Sequence, residues 1–191
     1  MSAILLSFAV IFVAEMGDKS QLMALTFATR YRAVPILIGI TIATAAVHAV
    51  SVLVGEVLAV SLPTNALNIA AGIAFLGFAT WTLRGDTLSD DEAAKAERAS
   101  TRSAVVAASG AFFLAELGDK TMLATITLAS THGAFGVWLG STLGMVVADA
   151  LAILVGRLLG RRLPERAVTV FASVMFVVFG VALLLEGFRV L

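Results

Sequence analysis

Two stretches carry ionisable chemistry that their surroundings do not lead one to expect. FVAEMGDKSQL at 12–22 brings Glu15, Asp18 and Lys19 into a short apolar setting, and FLAELGDKTML at 113–123 brings Glu116, Asp119 and Lys120 in the same pattern. A charge at a bilayer centre costs at least ~2.5–3.5 kcal/mol, so such residues face a polar cavity or a partner and mark ion or proton pathways. At helical spacing Glu15 and Asp18 are i,i+3 neighbours on one face, as are Glu116 and Asp119. Gly17 and Gly118 between them allow another backbone to approach or the helix to unwind, which frees carbonyl oxygens as ligands. Ser20, Thr121, Thr26 and Thr127 add hydroxyl oxygens along the same segments.

Charge arithmetic suggests what this set could bind. Four carboxylates less two lysines leave about −2 when all are ionised, which one divalent cation or two protons would neutralise. Metal and protons then compete for the same oxygens, the physical basis of cation/proton exchange. All the donors are hard oxygens and the chain has no cysteine, a combination that favours Ca²⁺, Mn²⁺ or Mg²⁺ over Zn²⁺ or Cu. The plainer reading is a salt-bridge lock, Glu15 with Lys19 at i,i+4, but two lysines leave two carboxylates without a counterion. Asp149, in the middle of another apolar run, is a candidate further ligand or proton relay. His48 could support proton coupling, although a hydrogen-bonded packing role is the simpler expectation. His132 falls at a segment end and reads as interfacial, while Glu56 and Glu186, near segment ends, read as solvated or as guides for cations toward the exit.

The elements that must hold these groups are membrane helices. The chain is 60% hydrophobic and 14% charged over 191 residues, with a mean hydropathy of +1.01, outside the soluble range. Residues 1–14 lack a basic n-region and a small-residue cleavage site, so no cleaved leader is expected. Six apolar runs, about 2–29, 34–60, 65–84, 103–130, 134–160 and 166–189, each reach the ~20 residues that a span needs. Gly136, Gly140 and Gly144 form a small-residue ladder on the fifth, suited to close helix packing. Shifting the sequence by 101 residues superposes the two motifs. The register then holds through Ala33/Ala134, Gly39/Gly140, Thr41/Thr142 and Ala49/Ala150, with LVG at 53–55 on 154–156 and LP at 62–63 on 163–164.

The chain therefore reads as a duplicated three-helix unit, residues 1–84 and 103–191 joined by a polar linker 85–102, in one all-α membrane domain. An odd number of spans inverts the second copy, an architecture that places ion sites at the repeat interface near the bilayer midplane. Ten of the 13 Lys and Arg residues fall in loops on one side: Arg30, Arg32, Arg84, Lys95, Arg98, Arg102, Arg157, Arg161, Arg162 and Arg166. By the positive-inside rule that side is cytoplasmic, both termini are not, and the setting is the cell (inner) membrane of a bacterial-style chain.

The doubled E-x-G-D-K-[ST] motif, about 100 residues apart on the first and fourth of six spans, closely resembles the Gdt-type or transmembrane protein 165 family. That family includes Golgi Ca²⁺/Mn²⁺–proton exchangers and bacterial manganese exporters. The resemblance implies that Glu15, Asp18, Glu116 and Asp119 bind the cation. Lys19 and Lys120 would be their basic partners, and Ser20 and Thr121 the adjacent hydroxyls. Gln21 continues the pattern in the first copy, whereas Met122 in the second removes a possible amide ligand and would favour Mn²⁺ over Ca²⁺. The expected function is export of Mn²⁺, or Ca²⁺, in exchange for protons. The ion is cargo, no resident cofactor is called for, and the partners are the lipid bilayer and divalent ions, not nucleic acid. Metalloprotease, serine hydrolase and Walker-type motifs are absent, which argues against an enzyme or ATP-driven pump. The competing readings are an exporter of a small cationic metabolite, an intramembrane metal-dependent enzyme, and a structural membrane subunit. Oligomeric state is not encoded in any motif.

Overall fold

The computed structural model describes residues 2–84, 104–159 and 165–189, all in helices or short turns. The expected polar linker 85–102 lies outside the described residues. In chain order the helices are α1 (Ala3–Glu15), α2 (Lys19–Arg30), α3 (Ala33–Ser61), α4 (Thr64–Arg84), α5 (Ala104–Glu116), α6 (Lys120–Thr131), α7 (Ala134–Leu159) and α8 (Glu165–Arg189). Segments Ala33–Ser61, Thr64–Arg84, Ala134–Val155 and Thr169–Arg189 are each long and apolar enough to cross a membrane, while α1 and α5 are apolar but shorter. The chain is an all-helical, multi-pass membrane protein.

The segments 2–29 and 103–130 are each broken at the motif into two helices, the unwinding that the motif glycines allow, and this corrects the expected spacing of the acids. Gly17 has φ 76° and Gly118 has φ 80°, a left-handed conformation that no other described residue adopts and that costs a Cβ-bearing residue roughly 1–2 kcal/mol. The amides around each glycine close tight turns, Met16 N–H on the Val13 carbonyl (3.2 Å) and Asp18 N–H on the Glu15 carbonyl (3.1 Å). In the second copy Asp119 N–H reaches the Glu116 carbonyl at 3.2 Å. Glu15 and Asp18 are consequently not i,i+3 neighbours on one helix. Each glutamate ends a helix and each aspartate caps the next.

Packing exchanges between the two copies. Helix α7 packs on α1 and α3 packs on α5, and α3 and α7 cross each other. Small residues permit this closeness. A Cβ at Gly39 would stand 2.7 Å from the Val105 carbonyl of α5, and one at Gly140 would collide with Ser7 and Ile4 of α1. Shifted by 101 residues, these are the same contact. Gly136 and Gly144 face Ala3 and Phe8 of α1, so the expected ladder does serve close packing. At the α3–α7 crossing the Thr44 hydroxyl donates to the Met145 sulfur at 3.0 Å, a bond between equivalent positions of the two copies. Helices α4 and α8 form the remaining tight pair, joined by Phe75, Phe78, Phe176 and Phe179 with ring centroids 5.7–6.4 Å apart.

The core divides into two clusters. One takes Val10, Ile11 and Ala14 of α1 together with Ala124 and Leu128 of α6. The other takes Met23, Ala24 and Phe27 of α2 together with Ala108 and Phe112 of α5. The two helix breaks join one cluster to the other.

Candidate functional site

Every described carboxylate of the doubled motif is buried, with Glu15 and Asp18 at 0% exposure, Glu116 at 1% and Asp119 at 4%. The helix breaks explain how they come together. The unpaired carbonyls of a helix C-terminus give it negative character, and the free amides of an N-terminus make it anion-favouring. Glu15 and Glu116 stand at the C-terminal ends of α1 and α5, and Asp18 and Asp119 at the N-terminal ends of α2 and α6. Neither aspartate uses its side chain to cap its own helix, so both carboxylates can turn toward other groups.

The clearest of these contacts crosses between copies. Lys120, 2% exposed, forms an ion pair with Asp18, so the basic residue of the second motif serves the aspartate of the first. Removing one member of a buried pair leaves an uncompensated charge at a cost of about 3–5 kcal/mol. The adjacent hydroxyls behave differently. Thr121 donates to Glu116 Oε2 at 2.8 Å, whereas Ser20 approaches Asp18 Oδ2 at 3.5 Å. The side chains of Lys19 and Thr26 lie outside the described residues. Thr127 turns away, donating to the Leu123 carbonyl at 2.9 Å on an exposed face.

Asp149 of α7 joins the group. It is fully buried and lies within electrostatic range of Asp18, Glu15 and Glu116. Glu15 in turn lies within electrostatic range of Glu116, Asp149, Asp18 and Asp119. Both oxygens of Glu15, both of Asp149 and Oε1 of Glu116 have no hydrogen-bond partner among the described residues. Buried carboxylate oxygens in that condition are the natural seats of a cation or of protons. Among the described residues no three acids or histidines converge closely enough to hold a metal in this arrangement; Lys120 is paired to Asp18 instead. His48, at the position in α3 that corresponds to Asp149 in α7, is buried with its Nδ1 unpartnered among the described residues.

Gln21 has a role that sequence reasoning did not find. Its Oε1 accepts the Gly17 amide at 2.9 Å and its Nε2 donates to the Ala148 carbonyl, beside Asp149, at 3.3 Å. It braces the first break and ties it to α7. Met122 takes the equivalent place in the second copy, its sulfur accepting the Gly118 amide at 3.2 Å. A thioether has no donor and cannot supply the second tie. Thr44 and Met145 were also missed, although each lies one helical turn before His48 or Asp149, a spacing that could have flagged them.

Comparison with known proteins agrees with this chemistry. Residues 3–90 and 104–190 match the family model described as the divalent cation/proton antiporter GDT1. A Vibrio cholerae protein provisionally named a manganese exporter is 36% identical over 185 residues, covering 95% of this chain and 90% of its own. A GDT1-like protein of Synechocystis is 33% identical, covering 90% of this chain and 91% of its own. The chloroplastic protein PAM71 of Arabidopsis thaliana is 32% identical, the match covering 94% of this chain and 56% of that longer one. No solved structure matches. The chain belongs to the GDT1 family of transmembrane cation transporters.

Proposed function

We propose that this protein is a secondary active transporter that exports Mn²⁺ from the cytoplasm in exchange for protons. The observation that carries the reading is the buried contact between copies. Lys120 of one motif pairs with Asp18 of the other, and Glu15 lies within electrostatic range of Asp18, Glu116 and Asp119, which supports one site shared by both motifs. The cation ligands are Glu15, Asp18, Glu116 and Asp119, with Asp149 as a fifth carboxylate and Ser20 and Thr121 as supporting hydroxyls. Lys19 and Lys120 act as exchangeable counterions. Gln21 braces the site, its amide oxygen holding the Gly17 amide. His48 is a packing neighbour of the site. Oxygen donors select a hard divalent ion. Mn²⁺ is favoured over Ca²⁺ by the name of the Vibrio relative.

The architecture belongs to the same reading. The helix pairs α1–α2 and α5–α6 are each one broken span, because about 20 Å of α1 alone falls short of the ~30 Å hydrocarbon core. With them the chain crosses the membrane six times as two inverted three-helix units, 1–84 and 103–191, joined by the cytoplasmic linker 85–102. In support, α1 shares a core cluster with α6, and α2 with α5, so the two motif segments pass the acids in opposite directions. Both termini lie outside the cytoplasm of the cell (inner) membrane, on the side poor in Lys and Arg.

The test is flux in proteoliposomes with an imposed pH gradient and an internal metal-sensitive dye. Native protein should show Mn²⁺ movement coupled to protons, and Glu15→Gln and Asp119→Asn should each abolish it. Folded variants that transport like the native chain would reject the shared site, and absence of any metal flux by the native protein would reject the exchanger.

A further inference from the structure

Beyond the acids, the described helices enclose a second feature that contains ionisable groups. A cavity of about 130 Å³ opens between α1, α4, α6 and α8, large enough for several waters or a partly hydrated ion. Its deep wall is apolar, with Val10, Phe75 and Leu128, and its polar lining groups are His132 and Glu186. Val10 precedes Glu15 by five residues, and at 1.5 Å per residue the cavity floor stands about 7.5 Å along α1 from that carboxylate.

Both polar groups are of types that can ligate a cation. His132 caps the C-terminus of α6, where the helix end is negative. Its Nδ1 lies 2.8 Å from the Thr131 hydroxyl. With the Nδ1 proton donated to that oxygen, the Nε2 lone pair is available to a metal, the arrangement by which a hydrogen-bonded neighbour sets a ligand histidine's tautomer. Glu186, exposed on α8, supplies a carboxylate to the same cavity. A nitrogen ligand disfavours Ca²⁺, which takes oxygen ligands, relative to a transition cation such as Mn²⁺. Two protein ligands leave the ion mostly hydrated, which allows rapid release.

The other copy is built differently at the corresponding positions. Shifted by 101 residues, Leu128, His132 and Ala182 become Phe27, Tyr31 and Trp81. Phe27 is buried and its ring lies 6.1 Å from that of Tyr31, at an interplanar angle of 29°. Duplication alone would have made the two ends alike. Residue for residue, the second copy carries His132 where the first carries Tyr31.

We infer that this cavity is the external vestibule of the exchanger and that His132 and Glu186 form a transient binding site for a divalent transition cation at its mouth. The inference rests on the transporter reading above and adds a second site to it.

The chain has no cysteine, so Ala182→Cys in the full-length protein places a single thiol in the cavity wall. In proteoliposomes, a membrane-impermeant methanethiosulfonate reagent should modify it from the face opposite the 85–102 linker. Millimolar Mn²⁺ should slow that modification several-fold, with Ca²⁺ slowing it less. In His132→Ala or Glu186→Gln backgrounds the protection should vanish while the metal-free modification rate stays the same. Leu6→Cys, on the facing wall, gives an independent thiol should Ala182→Cys fold poorly. Protection that persists in both backgrounds, no protection in the native background, or a thiol unreachable from that face would each overturn the proposal. Proton-coupled Mn²⁺ flux in the same vesicles separates the two readings: intact flux without protection rejects the vestibule site alone.

Discussion

The break at Gly118 offers a perturbation whose size follows from the backbone. Gly118 has φ +80°, and a Cβ built there meets nothing within 4 Å. Gly118→Ala therefore introduces strain without a clash, and the cost is that of one L-residue held in the left-handed region, about 1–2 kcal/mol. For a chain of this length that corresponds to a fall in melting temperature of roughly 2–8 °C. Gly77 is the control, since it too has open space around its Cβ position but lies inside α4 with ordinary helical geometry. There alanine gains about 0.5–1 kcal/mol from reduced backbone entropy. The measurement is thermal unfolding in detergent followed by Trp81 and Trp138 fluorescence, paired with Mn²⁺ flux. Gly118→Ala should destabilise and slow transport, Gly118→Asn should lose less because asparagine tolerates the left-handed region, and Gly77→Ala should stabilise. Gly118→Ala as stabilising as Gly77→Ala would mean that 113–123 is a continuous helix, which would remove the structural basis for placing Asp119 in the site.

Two further predictions use the same apparatus. Lys120→Gln should cost about 3–5 kcal/mol by leaving Asp18 uncompensated, and adding Asp18→Asn should recover much of that loss; additive losses in the double variant would deny the pairing between copies. Gly140→Ala should destabilise by roughly 1–3 kcal/mol, because its Cβ would overlap Ser7 and Ile4 in a packed interface. Gly110→Ala, with open space around it on α5, should be neutral or stabilising in the same melt.

The sequence alone determined the helical membrane character, the duplication and the identity of the acids. Apolar runs bounded by charge and proline are local signals, and the expected spans 34–60, 65–84, 134–160 and 166–189 lie within about one residue of α3, α4, α7 and α8. The repeat register needed only a comparison of the chain with itself. It also anticipated the packing of Gly39 and Gly140, since equivalent glycines face equivalent partners.

Tertiary structure decided the rest. Glycine in E-x-G-D-K permits a break but does not require one, because a helix tolerates a glycine at a cost of about 1 kcal/mol. Whether the chain breaks depends on what the freed ends meet, and those contacts lie about 100 residues away. The same limit explains the lysines. Within one copy the visible pairing is Glu15 with Lys19 at i,i+4, whereas among the described residues Lys120 pairs with Asp18 of the other copy. The type of Gln21 marks a possible ligand, and only the fold shows its oxygen on the Gly17 amide and its nitrogen on the Ala148 carbonyl. Residue type sets what a group can donate or accept, and packing between the copies sets which group it reaches.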